Sequence, residues 1–191
     1  GSTYYWRIDE VGPAPDFTAY KWPVLNFTTE LLAHPMEGVV ATSNAVSQAG
    51  AGPENTVNGS GLNATGEHST SGAHMWLGAK SEGEPTWIQY EFDNVHRLHE
   101  MWVWNYNSQF EPVVGFGLKD VTVEYSQNGK DWTVLGDVQL AQATAKATYT
   151  HNTTIDFAGV AARYVRLIVH SGWGTLSPQY GLSEVRFLYI P

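Results

Sequence analysis

The clearest candidates for chemistry in this 191-residue sequence are one acidic residue near the C-terminus and an early turn rich in oxygen donors. Glu184 lies in the segment Gly-Leu-Ser-Glu-Val-Arg-Phe-Leu-Tyr-Ile at 181–190, and residues 55–63 read Asn-Thr-Val-Asn-Gly-Ser-Gly-Leu-Asn. Carboxylate, amide and carbonyl oxygens are the ligands that Ca²⁺ takes in proteins. If the strand and the turn meet in space, they can hold a calcium ion. The alternative is a hydrogen-bonded turn, with Glu184 in a surface ion pair.

A second group of residues suits the recognition of sugars. Planar polar side chains bind vicinal hydroxyls in pairs, and aromatic rings pack on the C–H faces of a sugar ring. Such side chains concentrate in the segments 65–76, 105–119 and 171–180. The residues that we predict to bind a ligand are Glu67, His68, Asn105, Asn107, Trp173, Gln179 and Tyr180. Trp173 is the main stacking candidate, because glycines on both sides leave it little local packing.

Each of these residues also has a purely structural interpretation. Trp173 could fill the bottom of the core, and the amides of Asn105 and Asn107 could bond the backbone of their own turns. Three other tryptophans alternate with their neighbours in strand-like segments, and we expect them in the core. They are Trp87, Trp102 and Trp132.

Composition excludes several classes of function. The net charge of −9 argues against nucleic acid as a partner, because nucleic-acid binding needs a basic surface. The absence of cysteine excludes disulfides and a thiol nucleophile, and no apolar run is long enough to span a membrane. No zinc-protease, serine-hydrolase or phosphate-loop motif organises the histidines and carboxylates. We therefore expect neither an enzyme nor a membrane protein.

Alternating apolar and polar residues, separated by Gly, Asn, Asp and Ser turns, predict an all-β protein. Asn128-Gly129 between apolar runs is a strong hairpin signal. Many short strands with regular turns are typical of an antiparallel β-sandwich or jelly roll. The strands that we predict in the larger part of the chain are 86–92, 98–104, 121–125, 132–135, 148–157, 163–169 and 185–190.

Four motifs occur in an order that resembles a known family. They are Trp-Ile-Gln-Tyr-Glu-Phe at 87–92, Val-Thr-Val-Glu-Tyr-Ser-Gln-Asn-Gly-Lys-Asp-Trp at 121–132, Ala-Arg-Tyr-Val-Arg-Leu at 162–167 and Leu-Ser-Glu-Val-Arg-Phe at 182–187. Over roughly 36–191 the chain resembles the discoidin domain, also called the coagulation factor V/VIII type C domain, and is similar to carbohydrate-binding module family 32. The resemblance implies a galactose-binding-domain-like jelly roll whose ligand loops meet at one end, so that the three segments above would form one shallow site.

The resemblance also implies a set of calcium ligands. Main-chain oxygens would come from Asn55, Ser60 and Ser183, and side-chain oxygens from Asn58, from Asn63 or Thr65, and from Glu184. The family has Asp where this chain has Asn58. Because fewer formal charges weaken Ca²⁺ binding, we expect a lower affinity than in the family.

The first 33 residues form a separate part in this interpretation. Strand-like segments at 4–10 and 23–29 resemble the last two strands of a fibronectin type III-like module, which gives domains at 1–33 and 34–191. The function implied is a non-catalytic carbohydrate-binding module that targets a secreted or cell-surface bacterial multidomain protein to polysaccharide, as a monomer with a structural Ca²⁺. The alternatives are a protein-interaction or adhesion module, a binder of anionic lipid, which the acidic balance disfavours, and a spacer without a ligand.

Overall fold

A computed structural model describes residues 1–29, 32–174 and 178–191. These residues form two compact units, Gly1–Ala33 and His34–Pro191. Each unit is described by itself.

The first unit contains two antiparallel strand pairs, one of which lies between the strands of the other in the sequence. Strand β1 (Thr3–Trp6) pairs with β4 (Leu25–Thr28), and β2 (Asp9–Val11) pairs with β3 (Ala19–Lys21). The sequence predicted two strands here, and the structure divides the first of them, because the chain leaves the extended conformation between β1 and β2. The relation of this unit to fibronectin type III modules stays a prediction.

The second unit is an antiparallel β-sandwich, which confirms the predicted fold class. Its sheet has the strand order β11-β10-β13-β9-β14-β8-β7, with β12 and β6 on β9 and β5 on β14. One short helix, α1 (Glu111–Val114), and the 3₁₀ turns Pro53–Thr56 and Gly72–His74 interrupt the loops. The strands are β5 (His34–Pro35), β6 (Val40–Ser43), β7 (Val46–Ser47), β8 (Trp76–Ala79), β9 (Thr86–Asn105), β10 (Asp120–Ser126), β11 (Thr133–Gln139), β12 (Thr153–Asp156), β13 (Ala161–Val169) and β14 (Gln179–Ile190).

Strand β9 belongs to both layers of the sandwich. Its first half pairs mainly with β6 and β13, and its second half pairs with β12 and β14. The sequence predicted two separate strands at 86–92 and 98–104. The residues between them, Asp93 and Asn94 among them, remain extended although they have the composition of a turn.

The core lies between the two layers, where alternate residues of each strand point inward. Phe187 of β14 reaches across to Tyr90 and Phe92 of β9, with ring centroids 5.3 and 5.0 Å apart. In the second half of β9 the inward positions belong to Met101 and Val103, which are fully buried.

The expectation that Trp87, Trp102 and Trp132 lie in the core is wrong. All three are partly exposed. Trp102 alternates with Met101 and Val103, so it points to the outer face of its layer. None of the helices in the described part of the chain has the length and apolar character needed to cross a membrane.

Candidate functional site

The predicted ligand loops lie together at one end of the sandwich. Gly117 pairs with Gly181 and Leu118 with Gly172 in isolated β-bridges, which join the loop after β9 to the start of β14 and to the loop before it. The amide of Asn107 joins the same end to the segment that contains His68. We call this region the loop end. Residues 175–177 of the predicted third loop lie outside the described residues.

Asn105, a predicted ligand residue, offers no side-chain surface at the loop end, and its role in binding stays a prediction. Its side chain has no exposed surface. Nδ2 donates to the carbonyls of Leu118 and Ala141 at 2.7 and 2.8 Å, and Oδ1 accepts the N–H groups of Leu118 and Tyr106 at 3.0 and 2.9 Å. Because every hydrogen-bonding position of this amide is used, Asn105 holds the loops together from inside.

Asn107 and His68 are also buried, and their roles in binding likewise stay predictions. Asn107 Nδ2 donates to the carbonyls of His68 and Lys146 at 3.0 and 2.9 Å. The His68 ring is 2.9 Å from the Ser69 carbonyl through Nδ1, while its Nε2 has no hydrogen-bond partner. Burial lowers the pKa of His68, so the ring is held neutral. Both side chains therefore bond loop backbone inside the protein.

Tyr180 belongs to the core, and Gln179 begins β14. Tyr180 is buried among the core residues, with Lys80 Nζ 4.8 Å from its ring centroid. Gln179 is half-buried and lies opposite Ala79 of β8. Tyr180 therefore presents little surface to a ligand, and the binding roles of Tyr180 and Gln179 stay predictions.

Trp173 is a predicted ligand residue whose side chain is partly exposed at the loop end. Its backbone N–H donates to Gly117 O at 3.1 Å, and its indole Nε1 donates to Leu140 O at 3.2 Å. Lys119 Nζ lies 5.3 Å from the ring centroid. The indole is thus fixed at both ends, with its polar atom satisfied and part of its apolar surface open to solvent.

Glu111 is a supporting residue of the loop end that the sequence analysis missed. Its buried carboxylate accepts the N–H groups of Phe116 and Gly117, each at 3.0 Å, and so fixes the turn below Trp173. Burial is the main influence on its pKa, which rises to about 7. A glutamate beside Pro112 in a polar loop carries no sequence signal that would distinguish it from a solvated one.

Glu67 lies in a small turn with two of the predicted metal ligands. Its Oε2 accepts hydrogen bonds from Asn63 Nδ2 at 2.8 Å and Thr65 Oγ1 at 2.9 Å, and these bonds lower the pKa of Glu67. Asn63 Oδ1 in turn accepts the backbone N–H of Thr65 and Glu67. Asn63 and Thr65 thus belong to a different turn from the one that approaches Glu184.

The rest of the predicted metal set does meet the last strand. Asn58 Nδ2 donates to Asn55 Oδ1 at 3.2 Å, and Asn58 Oδ1 accepts the N–H of Ser60 at 2.8 Å. Glu184, which has no exposed surface, accepts the N–H of Gly59 through Oε2 at 3.2 Å. A direct hydrogen bond between Gly59 and Glu184 therefore joins the oxygen-rich turn to the terminal strand.

The donors near Glu184 match a calcium ion in kind. The buried Glu184 Oε1 has no aligned hydrogen-bond donor, and carbonyl and amide oxygens of the turn are hard ligands. Arg186 Nη2 lies 3.0 Å from the same oxygen, so a guanidinium and an ion would compete for one carboxylate. The Ser183 hydroxyl accepts the N–H of Asn107, which leaves only its carbonyl for a metal.

The sequence analysis did not predict an aromatic cleft that lies on the outer face of the β12–β9–β14 layer. It is lined by Trp102, Trp104, His151 and Arg186 together with the turn that contains Asn63 and Thr65. Trp102 and Trp104 share a parity opposite to that of Met101 and Val103, but both faces of this strand are apolar, so alternation alone could not reveal the cleft. Apart from Thr65 and Gly66, its lining residues lie outside the loop end.

Comparisons with known proteins agree with this architecture. Solved structures with a similar fold include a family 32 carbohydrate-binding module, CBM32-3, from a family 31 glycoside hydrolase of Clostridium perfringens (17% identity, TM-score 0.60, 83% of this chain and 95% of that one). Another is the family 32 module of Clostridium perfringens NanJ in complex with galactose (12% identity, TM-score 0.58, 82% and 97%).

Whole enzymes match over a smaller share of their length. The alignment with a family 89 glycoside hydrolase from Clostridium perfringens covers 81% of this chain but 14% of that one, at 12% identity and a TM-score of 0.55. A search of curated proteins finds no match. The model of the F5/8 type C domain matches residues 39–182, most of the second unit. The chain therefore belongs to the F5/8 type C domain family.

Proposed function

We propose that this chain is a non-catalytic carbohydrate-binding module that holds a larger secreted or cell-surface protein on polysaccharide. The observation that carries the proposal is Trp173, a partly exposed indole fixed at the end of the sandwich where the loops meet. A rigid aromatic face of this kind packs well on a sugar ring, because little side-chain entropy is lost on binding. Lys119, beside the ring, can donate to sugar hydroxyls.

Two further observations support a sugar over other ligands. Solved family 32 modules of the same fold contain galactose and GalNAc. The chain's net charge of −9 does not favour nucleic acid or an anionic membrane. We expect weak binding at a single site, which repeated modules in one protein would raise through avidity.

The test is titration calorimetry of the wild type and Trp173→Ala against a panel of soluble oligosaccharides. We expect saturable binding to at least one glycan and a loss of about tenfold or more in affinity at the loop end in the variant. Trp87→Ala is the matched control, since Trp87 is also half-buried but lies on the other layer. Unchanged binding by Trp173→Ala would refute the loop-end site, and no binding to any glycan would refute the function.

A structural calcium ion is the second part of the proposal. The buried Glu184 carboxylate, the carbonyls of Asn55, Ser60 and Ser183 and the amide of Asn58 would hold it. Asn63 and Thr65 would contribute only if their turn gave up its bonds to Glu67. The ion's role would be to fasten the terminal strand to the early turn.

A protein-adhesion module is the second candidate function, and one observation favours it. Phe110 and Val113, next to each other in space at helix α1, are 70% and 86% exposed at the loop end. Exposed apolar side chains of this kind often mark protein contacts. If the chain is a sugar module, changing both residues to Ser should leave glycan binding intact. If it is an adhesion module, no glycan binding should be measurable, and the double change should abolish attachment of the parent protein to its protein partner.

A further inference from the structure

The cleft on the outer face of the β12–β9–β14 layer has the size of a ligand site. Its volume is about 690 Å³, within the range of small-molecule pockets. One wall is the turn that contains Asn63 and Thr65, and the floor is formed by the outward side chains of β9 and β14. Apart from Thr65 and Gly66, at the start of the segment 65–76, none of its lining residues belongs to the loop end.

The aromatic floor of the cleft is fixed by its surroundings. His151 stacks on Trp102 with ring centroids 4.7 Å apart and 4° between the planes, and it meets Trp104 at 5.0 Å and 64°. Trp102 Nε1 donates to Glu100 Oε2 at 3.0 Å, and Trp104 Nε1 donates to Gly66 O at 2.9 Å. Trp104 is buried and supports the floor, whereas Trp102 is partly exposed. Because the Trp102 indole N–H is satisfied inside the protein, this ring offers a ligand apolar surface only.

Arg186 supplies the directional donors. It lies opposite Trp102 in the pairing of β9 with β14, and its side chain is 39% exposed. The guanidinium is oriented by Nη2, which lies 3.0 Å from the buried Glu184 carboxylate. A guanidinium carries five N–H donors in a planar fork, so donors remain that can bind two neighbouring hydroxyls.

The charge of the cleft favours a neutral ligand. Arg186 is paired with the Glu184 carboxylate, and the opposite wall presents the amide of Asn63 and the hydroxyl of Thr65. The Glu67 carboxylate lies directly behind that wall, where it accepts hydrogen bonds from Asn63 and Thr65. In a chain with a net charge of −9, an anionic ligand would be repelled.

We propose that this cleft is a second carbohydrate site, separate from the loop end, which takes an uncharged sugar ring. The ring packs against the Trp102–His151 pair, and Arg186 donates to two vicinal hydroxyls. Asn63 and Thr65 line the opposite wall. The inference rests on the proposed function in one respect, that the ligand is a carbohydrate. It adds that one module binds glycans at two places.

The test compares wild type, Trp102→Ala, Trp173→Ala and the double variant by titration calorimetry. The probes are neutral galacto-, gluco-, xylo- and manno-oligosaccharides, with oligogalacturonate as the charged counterpart. We expect two sites in the wild type, one in each single variant and none in the double variant. Oligogalacturonate should bind the cleft at least tenfold more weakly than its neutral counterpart.

Arg186→Lys provides a second test that does not require loss of a large ring. It keeps the positive charge and loses the planar fork, so cleft affinity should fall about tenfold while loop-end binding is unchanged. Thermal unfolding confirms that each variant is folded, and Trp87→Ala is again the control.

The outcomes separate the two proposals. If Trp173→Ala removes all binding and Trp102→Ala and Arg186→Lys remove none, the cleft site is refuted and the module's function stands. If Trp102→Ala removes all binding, the cleft is the site and the loop-end assignment is refuted. If the wild type binds no glycan at all, both proposals fail. Tighter binding of oligogalacturonate than of neutral sugars would overturn the ligand class.

Discussion

The side-chain amide of Asn105 pairs with the backbone of Leu118 as a neighbouring strand would. Nδ2 donates to Leu118 O at 2.7 Å, and the Leu118 N–H donates to Oδ1 at 3.0 Å. A loop that has left the sheet thus keeps its backbone groups bonded inside the protein, where an unpaired group would be costly. These bonds hold the segment around Leu118 in place although it contains little regular structure.

Asn105→Ala should therefore destabilise the protein strongly. The change leaves buried backbone groups of Leu118 and Ala141 unpaired, and we expect a loss of about 2–4 kcal/mol in the free energy of unfolding. Urea unfolding followed by tryptophan fluorescence measures it. Asn94→Ala is the control, because that exposed amide bonds only the neighbouring Asp93, and it should change stability by less than about 0.5 kcal/mol. Equal midpoints for the two variants would contradict this role of Asn105.

The pH dependence of stability should contain a contribution from Glu111. Burial raises its pKa to about 7, above the value of 4.5 expected for the unfolded chain. Between these values the folded protein keeps a proton that the unfolded chain has lost, so the free energy of unfolding falls as the pH rises from about 4.5 to about 7.

Glu111→Gln should remove that part of the slope, about 2 kcal/mol across the window. The pKa of Glu184 is also raised to about 7, mainly by burial, but Glu184 is present in both proteins. The difference between wild type and variant therefore isolates Glu111. Urea unfolding at pH 5, 6, 7 and 8 measures it, and parallel pH profiles would show that Glu111 is not held protonated.

Gly181 should not tolerate a methyl group. A Cβ at this position would lie 2.5 Å from the Tyr106 ring, which is itself buried and has no room to move. We expect Gly181→Ala to cost about 1–3 kcal/mol. Gly136→Ala on β11 is the matched control, since nothing lies within 4 Å of its Cβ, and it should be neutral or slightly stabilising. Similar melting temperatures for both variants would contradict the close packing at Gly181.

Calcium, if it binds beside Glu184, should do so in competition with Arg186. Saturating Ca²⁺ should raise the melting temperature of the chelator-treated wild type by a few degrees, and that of Arg186→Met by about 2–4 °C more. Glu184→Gln removes the only carboxylate of the predicted set and should remove the response. Identical melting curves with Ca²⁺ and with chelator, in wild type and in Arg186→Met, would rule the ion out.

The longer strands of the second unit could be predicted from the sequence because turn residues and alternation are local signals. The four motifs between Trp87 and Phe187 then identified the family. The joining of two predicted strands into β9 could not be foreseen, since the extended conformation between them depends on pairing with β13.

The site residues were harder to predict for a physical reason. Asn105 and Asn107 come at the end of a predicted strand, as residues at the rim of a site do. Their side-chain amides nevertheless donate hydrogen bonds to carbonyls that are distant in the sequence, at 118, 141 and 146. In Met-Trp-Val-Trp at 101–104 both faces of the strand are apolar, so alternation alone could not decide which pair is buried.

The continuity of β9 across both layers has a consequence for how the chain folds. Gln89 of β9 bonds Arg166, which lies 77 positions later, and other partners of β9 lie both earlier and later in the sequence. Closing such long loops before any contact is gained makes folding slow, on the order of milliseconds to seconds. Until β13 and β14 have been synthesised, each half of β9 lacks its partner along one edge, so a truncated chain that ends before residue 161 should aggregate and not form half a sandwich.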